Sequence, residues 1–209
     1  MTGARPFILC LTGSLGMGKS RTASFFAEYG VPVYDSDAAV HAPYAGGAAP
    51  LIESAFPGTT SEGQVDRNKL AARVLGDSAA LARLEAIVHP LVAKTRDAFI
   101  TQAQARGVPV VLLDVPLLFE TRGDRQCDAV VVVSAPPDVQ RRRALERPGM
   151  TEEKFAALVG QQTPDAEKRR CADFIVDSSQ SFDHARAQVR DILAAIAKMR
   201  GGSADSPDN

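Results

Sequence analysis

Five apolar runs set the rhythm of this chain: FILCLT (residues 7–12), VPVYD (31–35), VPVVLLD (108–114), DAVVVVS (128–134) and DFIVD (173–177). Each is short, aliphatic and nearly free of polar positions, the pattern of strands buried on both faces of a parallel sheet. Helical patterns separate them, so the expected class is α/β, with a five-stranded parallel sheet flanked by helices. The spacing is uneven. More than 70 residues part the second run from the third, too many for a single crossover. They contain three helical patterns, APLIESAF, RNKLAARVLG and LARLEAIVHPLVAKTRDAFITQAQARG, and no obvious strand. A helical insertion over about residues 38–107 is therefore expected, with a lead-in loop at Pro43, Gly46, Gly47 and Pro50 and an internal turn at Gly58 and Gly63. Residues 1–37 and 108–199 form the expected core. A bent, charged excursion at about 147–165 has the makings of a lid, with Pro148 and Gly149 at its bend and Thr151 capping a helix that opens on Glu152 and Glu153. The end of the chain, 200–209, is poor in apolar residues and is expected to be disordered.

Composition narrows this picture. With 209 residues, 45% of them hydrophobic, the chain can bury one substantial core. Its 24 basic and 25 acidic residues nearly cancel, which leaves no general electrostatic case for nucleic acid or an anionic membrane as partner. No segment approaches the length of a membrane-spanning helix. Cys10, Cys127 and Cys171 are odd in number, far apart and outside any C-x-x-C spacing, so neither a disulfide framework nor a zinc site is expected. The expectation is a soluble, cytoplasmic protein.

The chemistry begins at LTGSLGMGKS, residues 11–20. Gly13, Gly18, Lys19 and Ser20 satisfy G-x-x-x-x-G-K-[ST], with Gly16 added inside the loop. A strand precedes the motif, and a helical pattern follows that ends at Gly30, a natural left-handed cap. In that setting backbone N–H groups turn inward around phosphates, Lys19 adds a point charge and Ser20 is placed to ligate Mg²⁺. A nucleoside triphosphate with Mg²⁺ is the first expectation, shared by switches, motors and kinases. A GTP switch needs N-K-x-D, and the NK at 68–69 lies in the insertion without the Asp. A small phosphotransferase whose insertion holds the acceptor fits the size and layout.

Such an enzyme needs carboxylates. Asp35 and Asp37 follow the second strand at the sheet edge where ligands bind, and in an extended segment two residues apart they share one side. The alternative is that one caps a helix and the other is solvated. Asp114 closes the third run at the Walker-B position, in reach of the metal shell. In PPDVQRRRALER, Arg143 and Arg147 fall on one helical face and are candidates to stack on a base or clamp phosphates, whereas Arg141 and Arg142 read as a solvated face. His89 precedes Pro90, where the helical pattern is expected to end, and by itself reads as a terminal or packing histidine.

Over roughly residues 7–196 the chain resembles the dephospho-coenzyme A kinase family. The resemblance rests on LTGSLGMGKS, VPVYDSDAAVH, VDRNKLAARVL, LEAIVHPLV, VVLLDVPLLFE, VQRRRALER and CADFIVDSS, in family order and spacing. It implies a P-loop fold like that of nucleoside monophosphate kinases, with a helical coenzyme A domain and a lid. It also implies transfer of the γ-phosphoryl of ATP to the ribose 3′-hydroxyl of dephospho-CoA. Carried over, the loop Gly13, Ser14, Leu15, Gly16, Met17, Gly18, Lys19 and Ser20, with Arg21 after it, binds the phosphates of ATP. Asp37 is the base with Asp35 beside it; Arg67, His89, Pro116, Leu117, Leu118 and Glu120 lie on the acceptor side. Arg143 and Arg147 match the nucleotide and lid arginines, and Ser20 and Asp114 the Mg²⁺ shell. Arg21 stands where the family has Thr, and Ser178, Ser179 and Gln180 replace an Asn-containing turn. The partners expected are ATP and dephospho-CoA, for a monomer or weak homo-oligomer. Phosphorylation of another small hydroxyl or nucleotide, or a slowly hydrolysing regulatory protein, are the alternative readings.

Overall fold

Unbroken apolar runs give strands that hide both faces, and the computed structural model, which describes residues 4–41 and 47–202, is organised around them. The sheet strands are β1 (Phe7–Thr12), β2 (Val33–Asp35), β5 (Val110–Asp114), β6 (Ala129–Ser134) and β7 (Phe174–Asp177), in the order β2-β5-β1-β6-β7. The pairs β1–β5, β1–β6 and β6–β7 are parallel. β2 and β5 start two residues later than their apolar runs because Pro32 and Pro109 cannot donate a ladder hydrogen bond. Ile8, Leu9, Cys10 and Leu11 are all buried, so both faces of β1 are covered. On one face lie α1 (Lys19–Glu28) and α9 (Phe182–Gly202), whose Phe25, Phe26, Val189, Ile192 and Ile196 close over Leu9, Leu11, Val131 and Val133. Phe25 and Phe26 are 1% and 0% exposed, and each such burial is worth about 1.5–3 kcal/mol.

The chain divides into two compact units, with the boundary inside β2. Among the described residues, Pro6–Val33 and the chain from Val108 form one, and Tyr34–Gly107, with residues 4–5, forms the other. The second unit contains α2 (Ser36–His41), α3 (Ala49–Ala55), α4 (Arg67–Val74) and α5 (Ser78–Ala105). Ile52, Phe56, Leu70, Leu84 and Val88 make its own core. Asp66 and Asp77 cap α4 and α5 by accepting backbone N–H bonds. Two features depart from the sequence expectation. A short hairpin joins β3 (Thr60–Ser61) to β4 (Gln64–Val65) through Glu62 and Gly63, both at positive φ; two-residue strands are too short to show a period. The helix also does not end at His89. α5 runs through Pro90, which forfeits one backbone bond but is held by the apolar stripe on either side, Leu84 and Val88 before it, Leu91 and Val92 after.

In the first unit, α6 (Pro137–Leu145), α7 (Glu152–Gly160) and α8 (Asp165–Arg170) follow β6. Thr151 caps α7 as expected, accepting from the Lys154 N–H. The expectation of no disulfide fails: Cys10 and Cys127 are bonded, with Cα atoms 5.8 Å apart. Pairing of Leu9 with Ala129 brings residue 127 beside β1, a juxtaposition that a sequence separation of 117 conceals. Cys171 is a free, exposed thiol. α9 continues to Gly202, three residues into the expected tail. The rest of that tail, and Pro43 and Gly46 of the lead-in loop, lie outside the described residues.

Candidate active site

The glycine loop is shaped by its backbone before any side chain acts. Gly16 and Gly18 have φ of 82° and 88°, a region that side chains with Cβ avoid. At Gly16 space forbids a side chain as well, because a Cβ would lie 2.5 Å from the Gln140 carbonyl oxygen; at Gly18 the fit is tight, with a Cβ 3.2 Å from Ser178 Oγ. Met17 N–H donates to the Ser14 carbonyl, closing a turn at 3.1 Å. Gly18 then leads into α1 without a side-chain cap, so the first-turn N–H groups of Lys19 and Ser20 are aimed where a phosphate would sit. Lys19 Nζ lies 2.5 Å from Asp114 Oδ1 at the end of β5, with both side chains largely buried. An ammonium carries three donors, so Lys19 can serve this carboxylate and a phosphate oxygen together.

The loop is also gripped from outside. The Leu15 N–H donates to Gln162 Oε1 at 3.0 Å, and Gln140 Nε2 donates to the Leu15 carbonyl at 2.9 Å. Ser178 Oγ donates to the Met17 carbonyl at 2.7 Å. Arg143 reaches Ser178 with two bonds, Nη1 to Oγ at 2.9 Å and Nη2 to the carbonyl at 2.8 Å. Arg143 is thus brought to the rim of the loop beside Gly18, whereas α6 ends at Leu145 and leaves Arg147 beyond it and exposed, so the single helical face expected of the two arginines is not formed. A cavity of about 430 Å³, of a size that takes a small ligand, opens beside Met17 between Ser134, Pro137, Gln140, Asp165 and Asp177. Gln140, Gln162 and Ser178 were not singled out as site residues from the sequence. A glutamine carries no spacing signal of its own.

The segment after β5 divides by depth. Thr12 Oγ1 donates to the Pro116 carbonyl at 3.1 Å, and Leu118 is core at 1% exposure, leaving its side chain no surface for a ligand, whereas Leu117 is 45% exposed. Glu120 Oε1 accepts from the Thr163 N–H at 2.7 Å and lies 3.0 Å from Lys168 Nζ, on a lysine with 0% exposure. Burial pushes the Glu120 carboxyl up, but the hydrogen bonds from backbone N–H groups and Lys168 outweigh it and hold it below the usual range. Arg21 is turned onto the Phe182 ring, 4.9 Å from its centroid.

The remaining expected residues belong to the other unit. Asp35 ends β2 and its Oδ1 accepts the Ala38 N–H at 2.9 Å, while Asp37 sits in the first turn of α2. The two carboxylates therefore do not share one side of an extended segment as expected: Asp35 is a good helix cap and draws the chain into α2 at Ser36. Asp37 is exposed and Asp35 is committed to the cap. Arg67 opens α4 and His89 lies within α5, both exposed.

A strand, a left-handed glycine turn, a lysine–carboxylate pair and a helix start can hold and polarise a triphosphate. Comparison with known proteins narrows the chemistry. Residues 7–184 match the family model described as dephospho-CoA kinase. A dephospho-CoA kinase of Mesorhizobium japonicum is 59% identical over 194 residues, covering 93% of this chain and 98% of that protein. Among solved structures, TT1252 from Thermus thermophilus aligns with a TM-score of 0.81 at 31% identity, covering 92% of this chain and 98% of that one. A dephospho-CoA kinase from Campylobacter jejuni has the same fold, with a TM-score of 0.65 at 21% identity and coverage of 92% and 98%.

Proposed function

The chain belongs to the dephospho-CoA kinase family, and we propose on that premise that it transfers the γ-phosphoryl group of ATP to the ribose 3′-hydroxyl of dephospho-CoA, giving coenzyme A and ADP. The observation that carries this reading is the Lys19–Asp114 pair at the mouth of the glycine loop, within a chain similar to dephospho-CoA kinases over almost its whole length. Gly13 to Ser20 bind the phosphates of ATP, with Arg143 at the rim and Arg147 supplied by the lid. Residues 38–107 serve as the acceptor domain, where Arg67 and His89 bind dephospho-CoA.

Ser20 and Asp114 offer two hard oxygen donors. Among the described residues no cluster of three or more His, Cys, Asp or Glu could hold a metal, which suits Mg²⁺, an ion that keeps much of its shell from water and substrate phosphates. Bound with ATP, Mg²⁺ neutralises charge on the transferring group. Asp37 accepts the proton of the 3′-hydroxyl as that oxygen bonds to the γ-phosphorus, and the bond from the γ-phosphorus to the bridging oxygen breaks to leave ADP. Lys19 and Arg143 stabilise the charge on the phosphoryl oxygens. Asp35 acts through the α2 cap, holding the turn that carries Asp37.

No helix among the described residues is long and apolar enough to cross a membrane, and we place the enzyme in the cytoplasm as a monomer or weak homo-oligomer with no nucleic-acid partner. That compartment opposes disulfides. Cys10 is 1% exposed and Cys127 is half-buried. ADP release with dephospho-CoA, beside AMP, shikimate and no acceptor, tests the activity. A rate confined to dephospho-CoA, with one phosphate added to the product mass, is expected. A rate that follows another acceptor, or none, refutes it.

A further inference from the structure

Four polar contacts around the phosphate loop converge on one short stretch, residues 162–168, which runs from the end of α7 into α8. Gln162 holds the Leu15 N–H, Thr163 N–H is held by Glu120, Asp165 Oδ2 accepts from Ser134 Oγ at 2.7 Å, and Lys168 pairs with the same Glu120 oxygen. Together they reach three parts of the C-terminal edge of the sheet: the loop after β1, the segment after β5, where Thr163 and Lys168 share Glu120, and the last residue of β6. The stretch ties these three together at the root of the lid.

Leu15 is the point on which this matters. Its N–H belongs to the peptide plane shared with Ser14 and its carbonyl to the plane shared with Gly16. Gln162 grips the first and Gln140 the second. Gly16 follows at a φ of 82°, so a rotation of either plane would re-aim the N–H groups further along the loop. Backbone donors cannot be re-aimed by changing rotamer as side chains can, and a small misplacement of reacting groups is costly to rate. The anchoring of Gln162 is itself built: Lys168 is wholly buried, an arrangement that only a close charge partner makes tolerable.

We propose that Gln162 is a positioning residue for phosphoryl transfer: with Gln140 it fixes the peptide planes on either side of Leu15, and the Glu120–Lys168 pair holds the segment that carries it. The role of Glu120 is thus at the root of the lid, acting through Thr163 and Lys168. None of these groups touches the reacting atoms. The inference rests on the phosphate-loop reading above.

The test replaces the Gln162 acceptor while keeping its bulk. For Gln162→Leu, kcat is expected to fall about 10- to 100-fold, and the Leu15 amide to lose hydrogen-exchange protection in ¹⁵N spectra of the full chain. Gln162→Glu, which keeps an acceptor oxygen, should restore both in large part. Combining Gln162→Leu with Gln140→Leu should cost less than the product of the single effects, because both act through one residue. Unchanged kcat and unchanged Leu15 exchange in Gln162→Leu overturn the proposal. So does a rise in KM for dephospho-CoA alone, which would make Gln162 an acceptor contact. If Gln162→Leu does not fold, Gln140→Leu is judged by kcat and by the Gly16 amide resonance, which belongs to the peptide plane that Gln140 holds, and no change in either overturns the proposal. Leu15 exchange and the affinity for a fluorescent ATP analogue need no turnover, so they separate a failure here from failure of the kinase reading, which shows as wild-type enzyme without an acceptor-dependent rate.

Discussion

The phosphate loop has its backbone held from several directions, by Gln140, Gln162 and Ser178, with the Lys19–Asp114 pair at its end. Asp37, Arg67 and His89, in the other unit, are exposed side chains carried on helices. The roles proposed for the two account for the difference. A triphosphate is bound chiefly by peptide N–H groups, whose direction is set by the fold, so the loop has to be shaped in advance. An acceptor met by long or exposed side chains can be gathered by rotamer changes, at some cost in side-chain entropy. On the proposed assignment, the backbone of one unit is shaped for the triphosphate, and the other contributes side chains: Arg67 and His89 for the acceptor, and Asp37, whose turn the Asp35 cap holds.

Substitutions on the two sides should therefore fail differently. The largest effect is expected from Asp37→Asn, which removes the proposed proton acceptor and should lower turnover by about 10²- to 10⁴-fold while ATP affinity stays near wild type; steady-state rates and equilibrium binding check it. Next is Gly18→Ala. Its φ of 88° and the Ser178 hydroxyl 3.2 Å from the new carbon oppose it, and left-handed backbone alone costs a residue with Cβ about 1–2 kcal/mol. ATP affinity should fall about tenfold or more, with little change in affinity for dephospho-CoA, both measured by titration.

Two smaller effects sharpen the contrast through stability. Asp77→Ala removes the oxygen that accepts from the Ala79 and Ala80 N–H groups at 2.9 Å, a loss of about 1 kcal/mol, visible as a melting temperature a few degrees lower. Glu120 sets an acid limit in the first unit. Against burial, which pushes its carboxyl up, backbone N–H groups and Lys168 hold it below the ordinary glutamate range, so its contribution is complete above the ordinary glutamate pKa of about 4.3 and is lost as pH falls through the lower folded-state value. Glu120→Gln should flatten the fall in melting temperature relative to wild type as pH drops below the ordinary glutamate pKa of about 4.3.

The strands were legible because burial on both faces writes itself as unbroken apolar runs, and β1 has the bounds its pattern predicts, Phe7–Thr12. The glycine loop was legible for a related reason: positive φ leaves few residue choices. The Glu62–Gly63 hairpin was hidden by its short strands, although Gly63 marked a turn. Pro90 misled because a single proline weakens a helix without ending it when apolar contacts persist on both sides. The Cys10–Cys127 bond and the grip on Leu15 depend on which strands and loops become neighbours, which is a property of the sheet order. Glutamine fits helix, loop and surface alike, so Gln140 and Gln162 carried no local signal. Asp35 was legible as a carboxylate at a sheet edge, but its commitment to a helix cap emerged only with the start of α2 at Ser36.

The most direct test of this division is equilibrium binding of a fluorescent ATP analogue, without acceptor, to wild type, Asp37→Asn and Gly18→Ala side by side. The account predicts that Asp37→Asn binds as wild type does and that Gly18→Ala binds about tenfold more weakly or worse. Equal losses in the two variants, or a loss confined to Asp37→Asn, would contradict it.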